Sequence, residues 1–239
     1  MFELVSISTF LNSFNDYLND SMKRIVLFSD LSKNSNSEKV LDAIIPESMR
    51  NKRLLYMPSG GLPLKYPEYY NDWKEKCSKK DCRIDLIDNA IPPEQAEKIE
   101  QEKLKLDNAN ILVITGGDPF KLLYYLRRTG LHTSITKFTE KQNFVLAGFS
   151  AGAMILTPTI SITTMEVTNK EGKRVPIHDV RGKSIHPGLK NDLTGLGLVD
   201  FEIVPHFEKK YANDVELYQK ISKNEVKTCT DDEFFIIEK

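Results

Sequence analysis

A chain of 239 residues with 33 Lys+Arg against 34 Asp+Glu has a formal charge of −1, so it lacks the clustered positive field with which nucleic-acid binders neutralise phosphates. Hydrophobic residues at 40% and charged residues at 28%, with 12 Gly and 11 Pro, exclude a disordered or collagenous chain. No apolar run approaches the ~18 residues of a membrane span, and three cysteines, Cys77, Cys82 and Cys229, make a poor disulfide framework and a poor zinc site, so a cytoplasmic globular protein is expected.

Residues 1–21 place Phe2, Leu4, Val5, Phe10, Leu11, Phe14, Tyr17 and Leu18 among Ser, Asn and Asp, without the basic start or cleavage site of a secretory signal. The pattern predicts an amphipathic N-terminal extension ahead of one domain covering residues 22–239. Within that domain, residues 25–28 read as a core strand and residues 38–45 as a helix. Residues 53–57 are a strand stopped by Pro58-Ser59-Gly60-Gly61, and residues 66–80 a helix carrying the only tryptophan, Trp73. Residues 83–87 read as a strand, 93–106 as a helix with proline in its first turn, and 110–115 and 144–147 as buried strands. A short helix over 151–156, a β-rich stretch over 159–164 and a strand ending at Pro205-His206-Phe207 complete the pattern.

Alternating strands and helices predict an α/β fold, a mostly parallel sheet covered by helices on both faces. In such sheets ligands bind beyond the C-terminal ends of the strands. Two loops at that edge stand out. Gly148-Phe149-Ser150-Ala151-Gly152 is a Gly-x-Ser-x-Gly turn between strand and helix, the nucleophile-elbow context that exposes a serine hydroxyl. Gly116-Gly117-Asp118 follows a buried strand, where glycines let backbone amides approach a developing oxyanion. The plain alternative for both is an ordinary tight turn, and their pairing favours chemistry.

A serine needs a base. Of His132, His178, His186 and His206, only His206 ends an apolar strand and so reaches the active edge. The carboxylate that should orient its ring is expected at Glu166, within an otherwise uncharged run, with Asp179 and Asp192 as competitors.

Taken in order, Ile114-Thr115-Gly116-Gly117-Asp118, Gly148-Phe149-Ser150-Ala151-Gly152-Ala153, Thr157-Pro158-Thr159-Ile160, Pro205-His206-Phe207 and the closing segment 228–238 resemble the peptidase E (alpha-aspartyl dipeptidase) family of serine peptidases, relatives of cyanophycinase. The resemblance runs from about Met22 to the end. It implies a three-layer α/β/α fold similar to class I glutamine amidotransferases, with serine where those enzymes carry cysteine. By position it makes Ser150 the nucleophile, His206 the base, Gly117 and Ala151 the oxyanion donors and Glu166 the acid, with Gly116 and Asp118 beside the substrate. Peptidase E has Asp in the neighbourhood of Glu166, and Ser161 stands where peptidase E has an arginine. That arginine would suit a substrate carboxylate, so strict aspartyl specificity is not implied. The long interval between Ser150 and His206 implies an insertion around residues 168–192 that covers the site.

The expected activity is hydrolysis of short peptides through an acyl-enzyme, with no metal or organic cofactor and no nucleic-acid or membrane partner, in a monomer or homodimer. An esterase on an α/β scaffold and a binding module with a vestigial site are the alternatives.

Overall fold

The computed structural model describes residues 22–239; the helix expected over residues 1–21 lies outside them. In chain order the elements are β1 (Lys23–Phe28), α1 (Ser37–Ile44), β2 (Arg53–Met57), α2 (Pro67–Lys79), β3 (Arg83–Leu86), α3 (Ala96–Asn108), β4 (Ile111–Ile114), α4 (Pro119–Thr129), α5 (Leu131–Phe138) and β5 (Phe144–Phe149). After them come α6 (Ala151–Ile155), β6 (Glu166–Thr168), β7 (Arg174–Pro176), α7 (Ile177–Val180), β8 (Phe201–Pro205), α8 (Ala212–Gln219), β9 (Glu225–Cys229) and β10 (Phe234–Glu238). Six strands form one sheet in the order β10-β1-β5-β4-β2-β3, parallel except for β10 against β1.

Strand residues alternate between two cores because successive side chains leave a strand on opposite faces. Ile25, Leu27, Leu112, Ile114, Phe144 and Leu146 pack with apolar residues of α3, α4, α5 and α6. Val26, Phe28, Ile111, Val113, Val145 and Ala147 pack on the other face against α1 and α2, including Trp73. Both faces of the sheet are thus buried, as a parallel sheet requires, and the expected α/β/α layering is present.

Two expected elements differ. The helix anticipated from residue 93 begins at Ala96, because residues 92–95 form a turn closed by the Gln95 N–H on the Pro92 carbonyl, 3.0 Å. The β-rich stretch 159–164 is a 3₁₀ turn, Ser161–Thr164, and only Thr159 makes a β-bridge, to Thr194. Its hydroxyls explain this: Thr163 Oγ1 donates to the Ile160 carbonyl (2.7 Å) and Thr164 Oγ1 to the Ser161 carbonyl (2.8 Å), closing local turns in place of a ladder.

Strands β8 and β9 form a separate parallel pair with Pro205 opposite Cys229. Glu202 on β8 is 1% exposed, yet its carboxylate accepts from Tyr218 Oη (2.8 Å), Ser222 Oγ (2.6 Å) and Asn224 Nδ2 (3.1 Å), which ties α8 and the approach to β9 onto β8. That register brings the chain after β8 and the chain after β9 out at one edge.

Candidate active site

The serine turn is held by contact on three sides. Ser150 sits between β5 and α6 at φ +51° and ψ −115°, a backbone conformation that side-chain-bearing residues rarely adopt and that costs on the order of 1–3 kcal/mol. Its N–H donates to the Phe28 carbonyl at the end of β1, 3.0 Å. A Cβ at Gly148 would lie 2.6 Å from the Gly152 carbonyl oxygen, and one at Gly152 would lie 2.1 Å from the Ile114 carbonyl oxygen on β4. The two glycines of the motif are therefore required by the closeness of β5, α6 and β4.

His206 follows β8, also with positive φ (+54°). Its Nε2 lies 2.9 Å from Ser150 Oγ, and its Nδ1 lies 2.6 Å from Asp231 Oδ1. The side chains of His206 and Asp231 keep 31% and 33% of their exposure, so the pair borders solvent without being stripped of it. Lys33 Nζ stands 3.7 Å from the second Asp231 oxygen. Ser150, His206 and Asp231 form one hydrogen-bonded line, with the histidine in the middle.

The carboxylate on His206 thus comes from Asp231, and Glu166 stands elsewhere. Glu166 opens β6, where Val167 turns inward at 0% exposure and its neighbours turn out, so the Glu166 side chain is exposed on the β6–β7 hairpin. Met165, one residue earlier, lines the cavity beside Ser150; Glu166 does not. The other competitors are engaged away from the ring. Asp179 is 3.1 Å from His178 Nδ1. Asp192 accepts from the Thr194 N–H at 3.0 Å and pairs with Arg127 at 3.2 Å. Asp231 escaped the sequence reading because its position depends on the parallel pairing of β8 with β9. Its one visible signal is an acidic residue just past a strand end.

Gly117 and Ala151 line the same cavity as Ser150 and His206. Gly117 has φ +141°, and a Cβ there would lie 2.1 Å from Ser59 Oγ, so this position favours glycine doubly. Ser59 Oγ donates to the Gly116 carbonyl (2.6 Å) and the Ser59 N–H to Thr115 Oγ1 (2.9 Å), which fixes the loop after β4 to the loop after β2. Gly116 lies under the nucleophile, since a Cβ there would fall 2.9 Å from Ser150 Cβ. Asp118 does not line the cavity: its Oδ1 accepts from the N–H groups of Phe120 (3.0 Å) and Lys121 (3.2 Å) and caps α4. Gly116 and Asp118 are thus placed as supports of the loop rather than as walls of the cavity.

The cavity holds about 300 Å³. Met154, Ile162, Met165, Ile177 and Val204 form an apolar wall, and Arg181, Lys183 and His178 bring cationic or ionisable groups from the segment after β7. Arg181 Nη2 donates to the Pro205 carbonyl, 3.2 Å, beside His206. The segment expected to cover the site, residues 168–192, does contribute to its lining. His132 and His186 stand apart: His132 Nδ1 lies 3.1 Å from the Leu126 carbonyl oxygen, and His186 stacks on Tyr124 at 3.8 Å between centroids.

A serine turn at the end of a central parallel strand, an imidazole on its hydroxyl and a carboxylate behind the imidazole define a site of the serine-peptidase class. The chain belongs to peptidase family S51, whose model matches residues 25–230. It is 26% identical over 161 residues to an uncharacterized peptidase of Pasteurella multocida (strain Pm70), spanning 67% of each chain. It is also 26% identical over 165 residues to peptidase E of Shigella flexneri serotype 5b, covering 69% of this chain and 59% of that protein. The chain thus spans about three-fifths of the length of the peptidase E relatives it matches. Its fold matches a Listeria monocytogenes EGD-e protein provisionally assigned as a peptidase E (TM-score 0.60, 20% identity, 91% of this chain and 95% of that one). A peptidase from an acI-B1 Actinobacterium matches with TM-score 0.59 and 17% identity, over 92% of this chain and 86% of that one. No helix among the described residues is long and apolar enough to cross a membrane.

Proposed function

We propose that the protein hydrolyses a peptide bond near the N-terminus of short peptides, with Ser150 as nucleophile, His206 as base and Asp231 as the carboxylate that orients it. The observation that carries this reading is the continuous line from Ser150 Oγ through His206 to Asp231, 2.9 Å and 2.6 Å. Ser150 Oγ forms a bond to the scissile carbonyl carbon while its proton passes to His206 Nε2. Asp231 stabilises the imidazolium through Nδ1–H. The amides of Gly117 and Ala151 are the donors assigned to the oxyanion, a contribution of about 3–4 kcal/mol per donor. The C–N bond then breaks as His206 returns the proton to the leaving amine. Water, deprotonated by the same ring, releases the acyl group from Ser150.

Chain order supports a peptidase over an esterase of the α/β-hydrolase type. That fold runs nucleophile, acid, histidine, whereas here the acid is last. Arg181 and Lys183 supply positive charge on one side of the cavity, which favours peptides presenting a carboxylate there, an N-terminal aspartate among them. Ser150→Ala is expected to abolish turnover of an aspartyl dipeptide while leaving the circular dichroism spectrum and melting temperature at parental values. Parental turnover in that variant would remove Ser150 from the reaction.

A further inference from the structure

Ser29, directly after β1, is 1% exposed and does not line the cavity. Its hydroxyl nevertheless makes two hydrogen bonds: Oγ accepts from the His206 backbone N–H at 2.9 Å and donates to the Cys229 carbonyl at 2.9 Å. The same Cys229 carbonyl also accepts from the Phe207 N–H at 3.0 Å. One hydroxyl thus joins three strand ends: that of β1, that of β8 with the base, and that of β9, two residues before Asp231. His206 itself sits at φ +54°, in the left-handed region that residues with side chains occupy uncommonly.

We propose that Ser29 is a positioning residue for the triad, fixing the backbone of His206 and the Asp231 turn relative to the end of β1, and thereby the ring between its two partners. This rests on the triad reading above. The Ser150 N–H donates to the carbonyl of Phe28, the residue before Ser29. Residues 28 and 29 therefore anchor nucleophile and base, Phe28 through its backbone carbonyl and Ser29 through its hydroxyl. A sub-ångström loosening at such a point matters, because misplacement by about 1 Å at a distance from the chemistry can cost about 100-fold in rate.

The test uses a fluorophosphonate, read as its maximal inactivation rate and its apparent binding constant, together with the low-field proton resonance of the His206–Asp231 hydrogen bond. Ser29→Ala is expected to lower the inactivation rate by about 10- to 100-fold with the binding constant within about two-fold, and to broaden or abolish the low-field signal. Ser29→Thr, which keeps the hydroxyl, is expected to retain both. An alanine variant that reacts at the parental rate with the signal intact overturns the inference, as does a loss confined to the binding constant. Should the alanine variant not fold, the threonine variant decides: a folded protein lacking the signal and the reactivity overturns it. Failure of the triad reading looks different, since the unaltered protein would then not be labelled at Ser150 at all.

Discussion

Asp231, the carboxylate bonded to the His206 ring, is a residue that local patterning barely marks. It stands in a run of acidic residues, Asp231-Asp232-Glu233, between two strands, where solvated charges are the usual occupants. What selects it is the ring nitrogen 2.6 Å away, brought there by the pairing of β8 with β9. Asp231→Asn is expected to lower kcat by about 10⁴-fold, the scale set by a histidine held in the wrong tautomer, whereas Glu166→Gln should leave kcat within about two-fold. Measuring both on one dipeptide checks the assignment, and the reverse pattern would return the acid to Glu166. Ser150 was legible because its signal is local, two glycines bracketing a serine between strand and helix. His206 was legible because it ends an apolar strand. The carboxylate beside His206 was not, because a partner defined by non-local strand register leaves no spacing in the sequence.

Elements explain how the strain at Ser150 is sustained. β5 and α6 meet so closely that neither glycine of the turn has room for a methyl group, and β4 closes the third side. Gly152→Ala would drive its Cβ against the Ile114 carbonyl, where backbone must shift because no flexible side chain can yield. It is expected to destabilise the protein by about 1–3 kcal/mol, the usual cost of overpacking, readable as a lowered denaturation midpoint. A midpoint equal to the parent's would show that β4 does not brace the turn. The parallel strands of the main sheet, β1 to β5, were readable as short strand-like runs with ends displaced by at most two residues, whereas the short polar strands β6, β7 and β9 were not. The turn at residues 161–164 was not, because β-prone threonines there spend their hydroxyls on local carbonyls.

Across the whole molecule, the site is a meeting of strand ends. Ser29, Ser59, Gly117 and Ser150 follow β1, β2, β4 and β5 of the main sheet, and His206 and Asp231 follow β8 and β9 of the side pair. The alternation of strand-like and helix-like segments made the parallel sheet and its two covering layers foreseeable. Strand order and the separation of β8 and β9 from the main sheet were not foreseeable, since a strand pattern does not name its neighbours. The most direct test of a hydroxyl activated at this junction is peptide mapping by mass spectrometry after reaction with a fluorophosphonate. One adduct on Ser150 is expected in the native protein, and none in the His206→Ala variant or in urea. Native protein left unmodified, or modified at another residue, would contradict the account.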